Sequence, residues 1–151
     1  KDKKMKKLIV AMTVMLFGFS AFAQNTGNLL NNYISVKNAL VSSDSKAAST
    51  AISALNEAVK SEGDFAQKAE LQKATDKLSK AGNNLEKQRA AFNEVSTVLW
   101  KVVKSSDKVN QPVYYQYCPM KKAYWLSKEK EIKNPYYGSS MLTCGKVTET
   151  K

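Results

Sequence analysis

Histidine is absent from all 151 residues. That removes the side chain most often used as a general base near neutral pH. It also removes the Ser-His-Asp and Cys-His pairings and the commonest zinc ligand. No glycine-rich phosphate loop can be drawn from the six glycines. The carboxylates Glu129 and Glu131 stand among lysines and read as solvated. With no acid–base apparatus, the chain is expected not to be an enzyme.

A long hydrophobic run is also missing. The most apolar stretch, Leu8 to Phe19, is about a dozen residues, short of the roughly 20 that a spanning helix needs. Met5-Lys6-Lys7 precedes it and Ala21-Phe22-Ala23 closes it, a basic start and a small-x-small end. This is the pattern of a secretory signal peptide over residues 1–23, with Met5 the expected initiator and Lys1–Lys4 an extension ahead of it. Cleavage makes Gln24 the first mature residue. No cysteine stands just after the cut, so no lipid anchor and no stable membrane insertion are expected. The product is read as periplasmic or secreted, and residues 24–151 as a single domain. The whole chain carries +11; residues 1–23 hold five lysines and one aspartate, which leaves +7 on the exported part. The lysines are spread along the chain as a solvated surface would have them, and nucleic acid is not an expected partner.

Between Asn25 and Lys104 there is neither cysteine nor proline, and aromatics are few. Apolar residues recur there at helical spacing. Leu29, Tyr33, Val36 and Leu40 form one stripe, and Ala48, Ala51, Ile52, Leu55 and Val59 a second. Leu71, Ala74 and Leu78 form a third, and Leu85, Phe92, Val95, Leu99 and Val102 a fourth. Ser43-Asp44-Ser45 breaks the first stripe and caps the second helix. Gly63 and Gly82 read as helix stops, and Asp64 with Gln67, then Asn83 with Glu86, as starts. Four helices of about 17 to 20 residues with short loops predict an antiparallel bundle over 25–104. Trp100 is expected in the core or packed against the C-terminal tail.

From Pro112 onward the composition changes. All three prolines, both cysteines and six of the seven tyrosines fall there. Val113–Tyr117, Ala123–Leu126 and Met141–Thr143 are candidate strands, with a turn at Asn134-Pro135 and Gly138. Segment 112–147 therefore reads as a small strand-and-turn, hairpin-like tail on one end of a mainly α domain, its tyrosines covering the bundle.

The chemistry-bearing residues lie in this tail. Tyr117-Cys118-Pro119-Met120 gives Cys-x-Met, and Met141-Leu142-Thr143-Cys144 gives Met-x-x-Cys. If the two segments meet, two thiolates from Cys118 and Cys144 and two thioethers from Met120 and Met141 converge. Such soft donors select Cu(I) or Ag(I) over hard cations. Trp125 is near in sequence and could shield a bound cation or roof the core. The same residues support a plainer reading. Two cysteines in an exported domain commonly form a disulfide. A Cys118–Cys144 bridge would close a loop of about 25 residues, worth roughly 3 kcal/mol in the chain-entropy model.

At these residues the sequence resembles a periplasmic family of unknown function. The resemblance rests on Tyr115–Met120, Ala123–Ser127, Ile132–Gly138 and Met141–Val147, and in the helical half on Tyr33–Val41 and on Phe92 with Ser96. Members with this Cys-Pro-Met and Met-Leu-x-Cys-Gly signature are also found fused to adaptor subunits of copper and silver efflux pumps. The resemblance implies a helical-bundle domain associated with heavy-metal handling, with Cys118, Met120, Met141 and Cys144 as candidate ligands. Two departures are visible: only Lys121-Lys122 separates the first two tail motifs, and no histidine lies near the first helix. A nitrogen ligand from histidine is thus excluded. The expected function is a soluble copper-handling protein whose partners are efflux components or another envelope protein. The alternative is a disulfide-stapled interaction module of the envelope that binds no metal. A small enzyme using a reactive thiol is a third, weaker option.

Overall fold

The computed structural model describes residues 25–151. The expected signal peptide and the cleavage point at Gln24 lie outside the described residues. Four helices come first: α1 (Thr26–Val41), α2 (Ser45–Ser61), α3 (Lys68–Ser79) and α4 (Leu85–Ser105). Three strands come next, β1 (Tyr114–Cys118), β2 (Ala123–Ser127) and β3 (Lys146–Thr150), with a 3₁₀ turn at Gly138–Ser140. The architecture is mainly α, a four-helix bundle with a small antiparallel sheet.

The four stripes form the bundle core. Leu29, Tyr33, Val36 and Leu40 of α1 are fully buried, as are Leu55 and Val59 of α2, Leu71 and Leu78 of α3, and Phe92 and Leu99 of α4. Each helix packs on the next, and α4 returns to α1. Asp44 caps α2 as its sequence position indicates, its carboxylate accepting from Ala47 N at 2.9 Å. The other two starts differ from expectation. Helix α3 begins at Lys68 after Gln67, without a side-chain cap, so Asp64 makes no capping box. Helix α4 is capped by Asn84 rather than Asn83, Asn84 Oδ1 accepting from Lys87 N. At 12 residues α3 is shorter than the pattern suggested. The preceding stretch from Gly63 to Gln67 carries no helix.

The sheet has the order β2-β1-β3. Strands β1 and β2 pair from Tyr114 opposite Ser127 to Cys118 opposite Ala123. The third strand is not Met141–Thr143, which forms a turn after the 3₁₀ segment, but Lys146–Thr150. Nor does the tail sit on one end of the bundle. It runs along the α1–α4 side, with contacts to α4 spread over four turns. Arg89 donates to Pro135 O, and Asn93 Oδ1 accepts from Tyr124 N. Trp100 stacks on Tyr115 with ring centroids 4.8 Å apart, and Lys104 pairs with Glu149.

Edge strands expose unpaired amides, which must find partners when buried. Here the bundle and the covering tail segment supply them for β2. Tyr124 N donates to Asn93 at 2.7 Å, Leu126 N donates to Tyr33 Oη at 3.0 Å, and Tyr124 O accepts from the Tyr136 hydroxyl. The sheet is therefore docked edge-on, with Tyr115 packed on the helices and the segment 129–145 folded over the other face.

Candidate functional site

Pairing between β1 and β3 builds the site. Gln116 lies opposite Val147 and Tyr117 opposite Lys146. The ladder then runs out, which delivers Cys144, two residues before Lys146, beside Cys118. The two side chains are near enough to influence one another, and neither cysteine is in a disulfide. Cys118 is fully buried at the end of β1, whereas Cys144 is partly exposed in the turn before β3. Desolvation and the adjacent Cys118 sulfur push the Cys144 thiol up from its ordinary value, so it holds its proton at neutral pH.

Asn134 fixes the turn that carries Cys144. Its side chain is fully buried and every polar group of the residue is used. Asn134 N donates to Leu142 O at 2.8 Å and Nδ2 donates to Cys144 O at 2.7 Å. Oδ1 accepts from Tyr136 N at 2.8 Å, and the carbonyl accepts from Gly138 N. Read in the sequence, Asn134-Pro135 signals only a turn; that the asparagine also clamps a cysteine ten residues on leaves no local signature. Gln116 has a comparable role: its Nε2 donates to Glu129 O and Lys130 O, holding the covering segment on the sheet.

Gly145 is required beside Cys144. Its φ is +149°, and a Cβ there would meet Trp125 Cη2 at 2.8 Å and Tyr117 O at 2.9 Å. The contact also locates Trp125. The indole is fully buried and edge-on to Tyr136, so it packs in the core with its ring tip against the Cys144-Gly145 turn.

The methionines lie at the surface. Met120 is in the β1–β2 turn, two residues past Cys118, and is 64% exposed; Met141 is 38% exposed. Cys144 N donates to Met141 O, closing that turn on the cysteine. Neither thioether is a core-packing residue. Lys121, next to Met120, has its Nζ 5.1 Å from the centroid of the Tyr137 ring. Among the described residues, no three His, Cys, Asp or Glu side chains gather at one point. An ion held at Cys118 and Cys144 must therefore accept two thiolates with thioether or backbone support.

A family profile matches residues 29–111, from the first core leucine of α1 to the segment just before β1. The chain belongs to DUF3347, a family of proteins of unknown function. What the DUF3347 match spans is the four-helix bundle, including Tyr33, Asn93 and Ser96, which dock the sheet. The strands and all four sulfurs lie beyond it. No curated protein and no solved structure matches the chain. No helix among the described residues is long and apolar enough to cross a membrane.

Proposed function

We propose that this protein is an exported binder of a soft monovalent metal ion, Cu(I) or Ag(I). Cys118 and Cys144 are the principal ligands, and the thioethers of Met120 and Met141 are auxiliary ones. The observation that carries the reading is the meeting of two unbridged cysteines from distant segments, one of them partly accessible, each with an exposed methionine two or three residues away in the chain. Soft sulfur donors without histidine favour Cu(I) and Ag(I) and disfavour calcium and magnesium. The role is binding rather than catalysis, and the partner is a heavy-metal efflux component or another envelope protein that delivers or removes the ion. Trp125 is a wall of the core and not a ligand.

The same proximity supports a second reading, a Cys118–Cys144 disulfide stapling the sheet of an interaction module. One experiment separates the two. Thiols are counted on protein recovered from the cell envelope, and the reduced protein then competes with a Cu(I) chelator. Two free thiols, and competition that Cys118→Ser abolishes, are the expected results. A disulfide that cellular reductants do not open, or equal competition by wild type and Cys118→Ser, would leave the stapled module standing.

A further inference from the structure

A cleft of about 680 Å³ opens between α4 and the β1–β2 turn, on the side of Lys121 and Lys122. Its polar lining combines the donors of Arg89, Asn93, Lys121 and Lys122 with hydroxyl-bearing residues and one carboxylate. Arg89, Lys121 and Lys122 bring three positive charges to its lining, against the single carboxylate of Glu86. None of these four enters an ion pair among the described residues.

The donors are held in place by the fold. Arg89 Nε donates to Pro135 O at 2.8 Å, and Nη2 donates to Leu40 O at 2.9 Å and Ser43 Oγ at 3.0 Å. Gly138 is packed against Nη2 so tightly that a Cβ would stand 2.9 Å from it. The guanidinium is thus locked, and Nη1 has no protein acceptor among the described residues. Asn93 is oriented as firmly. Its Oδ1 is committed to Tyr124 N at 2.7 Å, so the half of the amide left over is the Nδ2 donor. Lys121 is steadied over the Tyr137 ring. Apart from Ser140, the remaining wall is apolar or aromatic: Leu85, Ala90, Ala123, Tyr136 and Tyr137.

We infer that this cleft binds a small organic anion, a carboxylate carried on an apolar or aromatic body. Fixed donors and uncompensated cations select an anion. The apolar wall and the volume, within the usual range of roughly 300–1,000 Å³ for small-molecule sites, select one with a body to bury. Burial lowers the Arg89 proton affinity, and no carboxylate beside it offsets that. The site requires neither thiol and no metal.

The test is an NMR titration of the reduced, metal-free protein with three probes: 4-methylbenzoate, its uncharged analogue 4-methylbenzamide, and inorganic phosphate. The benzoate is expected to shift the backbone amides of residues 121–123 and the Arg89 Nε–H signal saturably. The amide and phosphate should each bind about tenfold or more weakly, a difference of about 1.4 kcal/mol. Lys121→Gln with Lys122→Asn removes two charges; asparagine tolerates the φ of +50° at position 122. Ala90→Glu adds an opposing carboxylate on an exposed, helix-compatible position. Both variants should weaken benzoate about tenfold or more with thermal stability unchanged. No saturable shift at these signals, equal binding of the amide or of phosphate, or full affinity in both variants would overturn the inference.

Discussion

The Tyr33 hydroxyl on α1 accepts the backbone N–H of Leu126 on β2 at 3.0 Å. The same oxygen lies 2.6 Å from Ser96 Oγ, and Ser96 donates onward to Phe92 O at 2.9 Å. With Ser96 donating to a carbonyl, the Tyr33 proton goes to Ser96 and its lone pair to Leu126. The result is a single directed chain from sheet to helix. Removing the hydroxyl leaves a buried amide unpaired, at a cost of about 1–3 kcal/mol. Tyr33→Phe is therefore expected to lower the stability measured by urea unfolding by that amount and to retain the far-ultraviolet helical signal. Hydrogen exchange should accelerate first at Leu126. An unchanged midpoint would show that the chain of bonds adds nothing to docking.

Burial raises the phenol pKa of Tyr33, and those of Tyr115 and Tyr136, above the ordinary value near 10. Linkage sets the sign. Below pH 10 these phenols are neutral in both states and the folded state is undisturbed. Above it the unfolded chain releases protons that the folded chain keeps, so stability falls as pH rises. Each such group contributes up to about 1.4 kcal/mol per pH unit. The unfolding free energy from urea titrations should fall as pH rises from 9 to 11, with these phenols adding up to about three protons to the slope at the upper end. Tyr33→Phe should remove about one of them, and a slope identical to wild type would contradict the burial of this hydroxyl.

The helices were legible because each buries one face, and burial on one face writes a period of 3.6 into the sequence. The stripe through Leu29, Tyr33, Val36 and Leu40 is fully buried in the structure. Strand β3 was illegible for the converse reason. Lys146, Thr148, Glu149 and Thr150 are all exposed, and only Val147 is partly covered, so no alternation records the pleat. Met141-Leu142-Thr143, apolar enough to suggest a strand, is instead a surface turn. The residues that dock β2, Tyr33, Asn93 and Tyr136, lie on three segments and act only on partners far along the chain. The sulfur cluster is intermediate. Residue types and spacing mark Cys118 and Cys144, but their proximity depends on a strand pairing that no local pattern announces.

Asn134 is expected to control access to Cys144. Its Nδ2 is the donor that holds the Cys144 carbonyl, and its Oδ1 holds Tyr136 N. Asn134→Ala deletes both bonds from a fully buried position and leaves two backbone groups without partners. The tail should lose about 2–4 kcal/mol, within the range for a broken buried network. Modification of Cys144 by a thiol reagent should quicken in proportion, whereas Cys118, buried on β1, should respond only after unfolding. Equal rates in the variant and the wild type would show that backbone pairing alone positions the turn.

The exposure of the methionines separates their contribution to folding from their contribution to binding. Met120 is 64% exposed, so replacing it by leucine removes a sulfur from a place where packing is slight. Thermal stability of Met120→Leu should remain within about 0.5 kcal/mol of wild type, as for most surface substitutions. The same holds for Met141→Leu, with a side chain 38% exposed. If the thioethers assist the thiolates, each variant should hold Cu(I) more weakly in competition with a chelator, and the double variant more weakly still. Cys118→Ser should abolish tight binding, since a hydroxyl is a hard and poor ligand for the ion. A graded loss, serine far below leucine, identifies Cys118 as a principal ligand and the methionines as auxiliary ones. Unaltered competition by the double Met→Leu variant would remove the thioethers from the site and leave a two-thiolate centre. Loss of stability in either leucine variant would instead mean that the side chain packs in solution, and the binding comparison would then be made with Met→norleucine protein, which keeps the straight chain and omits only the sulfur.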